Sequence, residues 1–257
     1  MDEVRIHSEE IVGEAATAGD MPELTGFTKS VLSLMDKVEY RRCESGEAFE
    51  DVARLRHKAF LTAGMMDGDP GGSMKDELDT VPNAQIFGIY VEGRLASTLR
   101  LHLVSRECPK SSAMRVFSDL LLPELAAGKT FIDPTRLSSD PEMKGNFGRL
   151  MPYVILRLAV MSLDHHMATA CLSMVREEHL GFYTKVFRSV SIAEPRPCPP
   201  FVVPVFLYSS ERERNMAATL EKYPFFRSSR EEREALFSPV SDGSPVIPSA
   251  RQVLRAA

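Results

Sequence analysis

Asp133-Pro134-Thr135-Arg136 sets a carboxylate, a hydroxyl and a guanidinium along one strand-like run, Thr130 to Ser138. A carboxylate accepts protons, directly or through a bridging water, and a guanidinium holds anionic groups. Two further acids, Asp76 and Asp79, lie three residues apart at the end of a loop, and Arg100 stands on a strand about twenty residues beyond them. An inward arginine near two aspartates forms a paired network, because an unpaired buried charge is too costly. A purely structural pair between Asp133, Arg136 and the loop acids uses the same residues.

The elements that must position these groups run from Lys129 to Phe187. The pattern predicts a strand over 130–138, a Gly-punctuated turn, a helix over about 148–166, a strand over 168–175 and a helix over 178–187. Two strands joined by a crossover helix pair as parallel neighbours, since a parallel return needs a dozen or more connecting residues. Where such strands splay, the sheet opens into a slot with backbone groups on both walls and a helix N-terminus at one end. That shape suits an extended acyl-pantetheine arm with a phosphate at its far end.

Composition sets the outer limits. At 257 residues, 44% hydrophobic and 26% charged, the chain is an ordinary globular protein with room for one sizeable core. Cys43, Cys108, Cys171 and Cys198 form no CxxC pair and no ligand-like spacing with histidine, so no metal site and no disulfide framework are expected. No apolar run reaches membrane-span length and no signal-peptide pattern opens the chain, which leads us to expect a cytoplasmic protein without an integral membrane segment. Residues 1–36 carry eight acids against Arg5 and Lys29, a net of −6, whereas the whole chain is at −5. A pI near 5.8 argues against nucleic acid as a partner.

Along the chain, residues 1–37 read as an acidic arm and a short capping helix, 38–209 as the main domain, 210–237 as a charged helical extension broken at Pro224, and 238–257 as a Pro/Ser-rich tail expected to be disordered. Within the main domain, Glu47 to Leu61 has a helical apolar face and carries Arg56 and Phe60, which at four residues apart share a side. A core Phe beside a solvated Arg gives the same pattern. Met65 to Pro82 is a Gly- and Asp-rich loop, too long for a plain connection. Ala84–Val91 and Arg94–Val104 read as a hairpin around Glu92-Gly93. Residues 188–194 and 201–209 read as a terminal antiparallel pair around the bend PRPCPP.

This order of elements resembles the GNAT acyltransferase superfamily: α/β, a mixed sheet of about seven strands with flanking helices and a splayed parallel pair. Within it, the residues over roughly 38–209 resemble the acyl-homoserine lactone synthases and the N-acyl amino acid synthases. Arg56 with Phe60, Asp76 with Asp79, Arg100-Leu101, and Asp133-x-Thr135-Arg136 match that branch's motifs. In the last, Asp133 stands for the family's Glu and is one methylene shorter, which favours a proton path through water. Lys144-Gly145-Asn146-Phe147-Gly148-Arg149 occupies the place of the superfamily's phosphate-cradling turn, with its glycines three apart instead of closer. His179 to Tyr183, closing at Phe187, resembles the superfamily segment whose tyrosine protonates a leaving thiolate. A packed tyrosine explains Tyr183 equally well.

The resemblance implies an N-acyltransferase that moves a long-chain acyl group from an acyl-carrier-protein or coenzyme A thioester to the amine of an amino acid, with no bound cofactor and no metal. Asp133, Thr135, Arg136 and Tyr183 are the implied catalytic residues, and Arg56, Phe60, Asp76, Asp79 and Arg100 the acceptor-binding ones. Lys144, Gly145, Gly148, Arg149, Leu172 and Met174 would hold the acyl-pantetheine. The widely spaced glycines favour an acyl carrier protein as donor. Leu101, Leu103, Phe117, Leu120, Met151 and Ile155 join Leu172 and Met174 as candidates for an acyl tunnel, and core packing accounts for all of them too. Two alternatives stand beside this reading: an acyl-homoserine lactone synthase, against which the chain lacks any Trp, and a catalytically silent acyl- or carrier-binding module.

Overall fold

Glu92 and Gly93 both take positive φ, 50° and 79°, as a two-residue type I′ turn requires. The strands beside them, β2 (Ala84–Val91) and β3 (Arg94–Val104), accordingly pair antiparallel as the sequence predicts. This hairpin sits within a computed structural model that describes residues 24–69, 71–143, 145–239 and 243–256. The other strands are β1 (Val38–Arg42), β4 (Phe131–Ser139), β5 (Ala170–Val175), β6 (Val190–Arg196) and β7 (Val205–Glu211). Together the described residues form a seven-stranded mixed sheet in the order β1-β2-β3-β4-β5-β7-β6, parallel only between β4 and β5. The expected terminal pair is present, and β7 inserts between β5 and β6.

The helices are α1 (Gly26–Met35), α2 (Gly46–Thr62), α3 (Ser112–Ala126), α4 (Asn146–His165), α5 (Leu180–Phe187), α6 (Arg212–Lys222), α7 (Arg230–Phe237) and α8 (Ala250–Ala256). Alternation along the strands sorts two cores. Leu99, Leu101 and Ile132 face α1, α4 and α7 on one side. Val104, Phe131, Leu172 and Leu207 face α3 on the other, with Phe117 buried between them. Thr98, Arg100, His102, Asp133 and Thr135 alternate onto this second side, where α2, α3 and the loop after α2 cover them.

The acidic N-terminal arm falls outside the described residues up to position 23. At the other end, disorder is expected from composition, but the chain is held in two places. Val246 exchanges two 2.9 Å backbone hydrogen bonds with Tyr40 on the edge strand β1, which caps an otherwise open ladder. Glu232 of α7 pairs with the fully buried Arg157 of α4 and accepts from Ser249 N at 2.9 Å. Arg157 Nε and Nη2 also donate to the Phe225 and Arg227 carbonyls. Composition carried no sign of this anchor, because its partners are 75 residues apart.

Candidate active site

Strands β4 and β5 pair only at Phe131↔Ala170 and Ile132↔Cys171. Beyond those two steps β5 stays paired with β7, through Val175, while β4 turns away. The turn has a local cause. Thr98 pairs with Ser138 and Arg100 with Thr135, so Arg136 and Leu137 together oppose Leu99 alone. Arg136 adopts φ 55°, a left-handed conformation unusual for a non-glycine residue. A bulge of this kind bends the strand that carries it. The parted strands enclose a cavity of about 660 Å³, within the range of small-molecule sites.

Pro134 to Ser139 form one wall, and Ser173 to Arg176 the facing one. Phe60 of α2 and Ser112, Arg115 and Val116 of α3 close the top, Leu156 of α4 and Tyr183 of α5 the base, and residues 196–201 the front. Phe60 packs on Phe201 with ring centroids 5.1 Å apart. The Arg136 guanidinium lies 5.3 Å from the centroid of the Phe201 ring. Arg196 ties the front segment to α3, with Nη1 and Nη2 on the Asp119 carboxylate at 2.6 and 2.9 Å.

Of the residues singled out from sequence, Thr135, Arg136, Phe60, Met174 and Tyr183 line the cavity. Arg56, Asp76, Asp79 and Arg100 come together immediately behind the wall as a charge network. Arg100 Nη1 donates to Asp76 Oδ1 at 2.6 Å and to Asp79 Oδ1 at 2.9 Å, Arg56 Nη1 to Asp79 Oδ1 at 2.7 Å, and Arg136 Nη2 to Asp76 Oδ2. Asp76 and Asp79 also cap the short 3-10 turn Glu77–Asp79 reciprocally, Asp76 N donating to Asp79 Oδ2 at 2.9 Å. This orders the end of the long loop that follows α2. A Cβ at Gly72 would fall 2.5 Å from His57 Nε2, so the loop seats directly on α2. Burial works against ionising Asp76, yet Arg100 and Arg136 outweigh it and hold its carboxyl well below the usual range. The same balance, with Arg56 and Arg100 opposing burial, lowers Asp79.

Asp133 does not reach the cavity. It is wholly buried beside the network, its Oδ2 accepts from Ala113 N at 2.9 Å, and its Oδ1 has no partner. Its neighbour in register on β3 is His102, whose pKa is lowered, first by burial and then by Arg100. The carboxylate therefore pins the start of α3 to β4 instead of facing the slot. Leu172 points into the core with Phe117 and Leu207. Gly145, Gly148 and Arg149 at the start of α4 do not line the cavity; a Cβ at Gly148 would sit 3.2 Å from the Met143 carbonyl, so that glycine serves a tight turn. Lys144 lies outside the described residues. Of the tunnel candidates only Met174 touches the cavity, and Leu101, Met151 and Ile155 are core.

Sequence reasoning missed Ser112, Arg115 and the 196–201 segment, all of which line the site. The PRPCPP bend was legible only as a bend, and nothing local marked α3 as a wall. Tyr183 lies at the cavity base. Burial raises its pKa, so the hydroxyl stays protonated, and it has no hydrogen-bond partner among the described residues. The cavity thus offers a protonated phenol and unpaired β5 backbone opposite a hydroxyl and guanidinium wall. Among the described residues no set of three His, Cys, Asp or Glu groups is arranged to bind a metal ion.

No curated protein sequence matches the chain. Among solved structures, FeeM, an N-acyl amino acid synthase from uncultured soil microbes, superposes with a TM-score of 0.59 at 10% identity, spanning 73% of this chain and 97% of that one. The acyl-homoserine lactone synthase LasI gives 0.50 at 14% identity, spanning 72% and 94%. At these identities the likeness is one of fold, and it agrees with the GNAT-like sheet expected from sequence. The family model described as N-acyl amino acid synthase FeeM matches residues 51–211, a stretch that runs from α2 to the end of β7 and contains nearly every wall of the cavity. The chain belongs to that N-acyl amino acid synthase family and is an N-acyltransferase.

Proposed function

We propose that the protein joins a long-chain acyl group, delivered as a thioester on an acyl carrier protein, to the amine of an amino acid. The parting of β4 from β5 after two paired residues carries this reading, because it opens a 660 Å³ slot in the middle of the sheet. An extended thioester laid in that slot meets β5 backbone N–H groups that have no ladder partner on the β4 side. Those groups suit the carbonyl oxygen as it becomes an oxyanion. A smaller void of about 30 Å³ shares Pro134, Leu156, Ser173 and Tyr183 with the slot and continues between α4, α5 and α6, past Phe187 and Met216. At about the volume of one water molecule, it takes the last carbon of an acyl tail, against Leu156, Ala159, Val160 and Leu163 of α4. The wide spacing of Gly145 and Gly148 at the start of α4 favours a carrier protein over coenzyme A as the thioester's bearer.

In the reaction the amine nitrogen bonds to the thioester carbon, the tetrahedral adduct collapses, and the carbon–sulfur bond breaks to leave amide and thiol. One proton leaves the nitrogen and one arrives at the sulfur. The Tyr183 hydroxyl gives its proton to the departing sulfur, and water in the cavity takes the proton from nitrogen and returns it to the Tyr183 oxygen, so that one proton passes from nitrogen to sulfur overall. Positioning supplies most of the remaining acceleration, since a thioester is already reactive. The four free cysteines and the thioester donor fit a reducing cytoplasm.

The test is incubation of the purified protein with acyl-carrier-protein or acyl-coenzyme A and a panel of amino acids, following free thiol and N-acyl product by mass spectrometry. Carrier-dependent N-acyl amino acid formation is expected. Formation of acyl lactone from S-adenosylmethionine, or acyl binding without thiol release, would replace this reading.

A further inference from the structure

Arg100 contributes no atom to the cavity wall, yet it sets the chemistry of two groups that do. Its side chain is fully buried; Nε donates to Thr135 Oγ1 at 3.1 Å and Nη2 to Ser112 Oγ at 3.2 Å, while Nη1 is committed to Asp76 and Asp79. A guanidinium has donors and no acceptor. Each hydroxyl therefore turns an oxygen lone pair to Arg100 and must point its own hydrogen elsewhere. Neither hydroxyl donates to another group among the described residues, and both residues line the cavity. The outcome is a pair of O–H donors from β4 and α3 on one wall of the slot.

Their mutual placement is fixed from behind. Ala113, next to Ser112, donates its backbone N–H to Asp133 on β4, and Ser111 accepts from Met114 N at 3.2 Å. The first turn of α3 is thus locked onto the strand that carries Thr135. Arg115, three residues after Ser112 and on the same helix face, also lines the cavity. Among the described residues its ion pair is with the exposed Glu77, a kind of pair that contributes little and exchanges readily. Four arginines line the cavity, Arg115, Arg136, Arg176 and Arg196, and among the described residues no Asp or Glu does. Two hydroxyl donors and a guanidinium whose exposed acidic partner, Glu77, lies outside the cavity lining match a carboxylate.

We propose that Ser112 and Thr135, both held by Arg100, form with Arg115 the subsite for the acceptor's carboxylate, so that Ser112 selects amino acids over amines that lack one. This rests on the proposed amino acid acceptor and names the residues that enforce it. The β5 backbone across the slot remains for the thioester oxygen.

The experiment compares an amino acid with the amine that lacks its carboxylate, in the wild type, Ser112→Ala, Thr135→Val and Thr135→Ser. The wild type should strongly prefer the amino acid. Ser112→Ala and Thr135→Val should each raise its KM roughly tenfold to a hundredfold, the loss expected for one hydrogen bond to a charged group, and leave KM for the simple amine within about twofold. Thr135→Ser, which keeps the hydroxyl, should recover most of the KM for the amino acid that Thr135→Val loses. Equal losses with both acceptors, or a fall in kcat alone, would overturn the assignment and transfer the hydroxyls to the thioester oxygen. So would a wild type that acylates both acceptors equally well, with N-acyl transfer itself intact. Absence of any N-acyl product would instead refute the proposed function. Thr135→Val carries the same test should Ser112→Ala not fold.

Discussion

Asp133→Asn separates two roles for the carboxylate that sequence alone merges. The side chain is fully buried, with Oδ2 taking the Ala113 N–H at 2.9 Å and Oδ1 unpartnered. Asparagine keeps the shape and one acceptor oxygen, so the bond to Ala113 survives as a neutral one. The change from a charge-assisted to a neutral hydrogen bond costs about 1 kcal/mol. His102, its neighbour in register, is bonded through Nε2 to the Leu78 carbonyl at 3.0 Å and keeps that bond in the variant. Thermal stability should change by no more than about 1 kcal/mol, and kcat, measured as thiol release, should stay within tenfold of wild type. Asp133→Ala, in contrast, leaves the Ala113 N–H buried and unpaired at a cost of about 1–3 kcal/mol, and should lose stability and turnover together as α3 loosens. Loss of 10²–10⁴-fold in kcat for Asp133→Asn at an unchanged melting temperature is the signature of a removed general base, roughly that size, and would refute the positioning role.

Three further outcomes follow from the same geometry. Asp76 and Asp79 titrate below their ordinary value of 3.8 in the folded protein, so below about pH 4 the unfolded chain takes up protons first and their stabilisation is lost; the difference in melting temperature between wild type and Asp76→Asn should be full at neutral pH and shrink below pH 4, and a constant difference would contradict the network. Tyr183→Phe should lower kcat roughly tenfold to a hundredfold, toward the small end for general acid catalysis because a thiolate leaves readily, with unchanged thermal unfolding; unaltered kcat would remove Tyr183 from the chemistry. Met216→Trp narrows the void between α4, α5 and α6, and since each methylene denied burial costs about 0.8 kcal/mol, a tail two carbons too long should lose roughly tenfold in kcat/KM, read from the chain lengths of the N-acyl products.

The sequence displayed the sheet and the charge network well because both depend on local rules. The cost of an unpaired buried charge required acids near an inward Arg100, which Asp76 and Asp79 supply. Alternation says which side a residue faces, and says nothing of what covers that side. Asp133 lies on the same side as Thr135, but α3 closes over the first and stops short of the second, a difference set by residues 111–114 that no pattern around Asp133 reveals. Ser112, Arg115 and Phe201 were illegible for the same reason, since each joins the site through packing across the sheet. The tail beyond Ser238 misled through composition: its Pro and Ser content is that of a disordered segment, whereas its described residues are held by the Val246 bridge to Tyr40 and by Ser249 on the buried Glu232–Arg157 pair.

The bulge at Arg136 and the acids behind the wall are best understood as one device. A non-glycine residue at φ 55° costs roughly 1–2 kcal/mol, and such a conformation persists only where its surroundings over-determine it. Here they do: Asp76 holds the Arg136 guanidinium from one side, Phe201 packs on it from the other, and Asp76 is itself fixed by Arg100 and by the capped turn ending at Asp79. Were the network absent, Arg136 would be free to relax to an extended conformation, β4 would straighten, and its ladder with β5 could continue past Ile132 into the slot. The buried charges thus act on the reaction without touching substrate, by keeping two strands apart that hydrogen bonding would otherwise draw together.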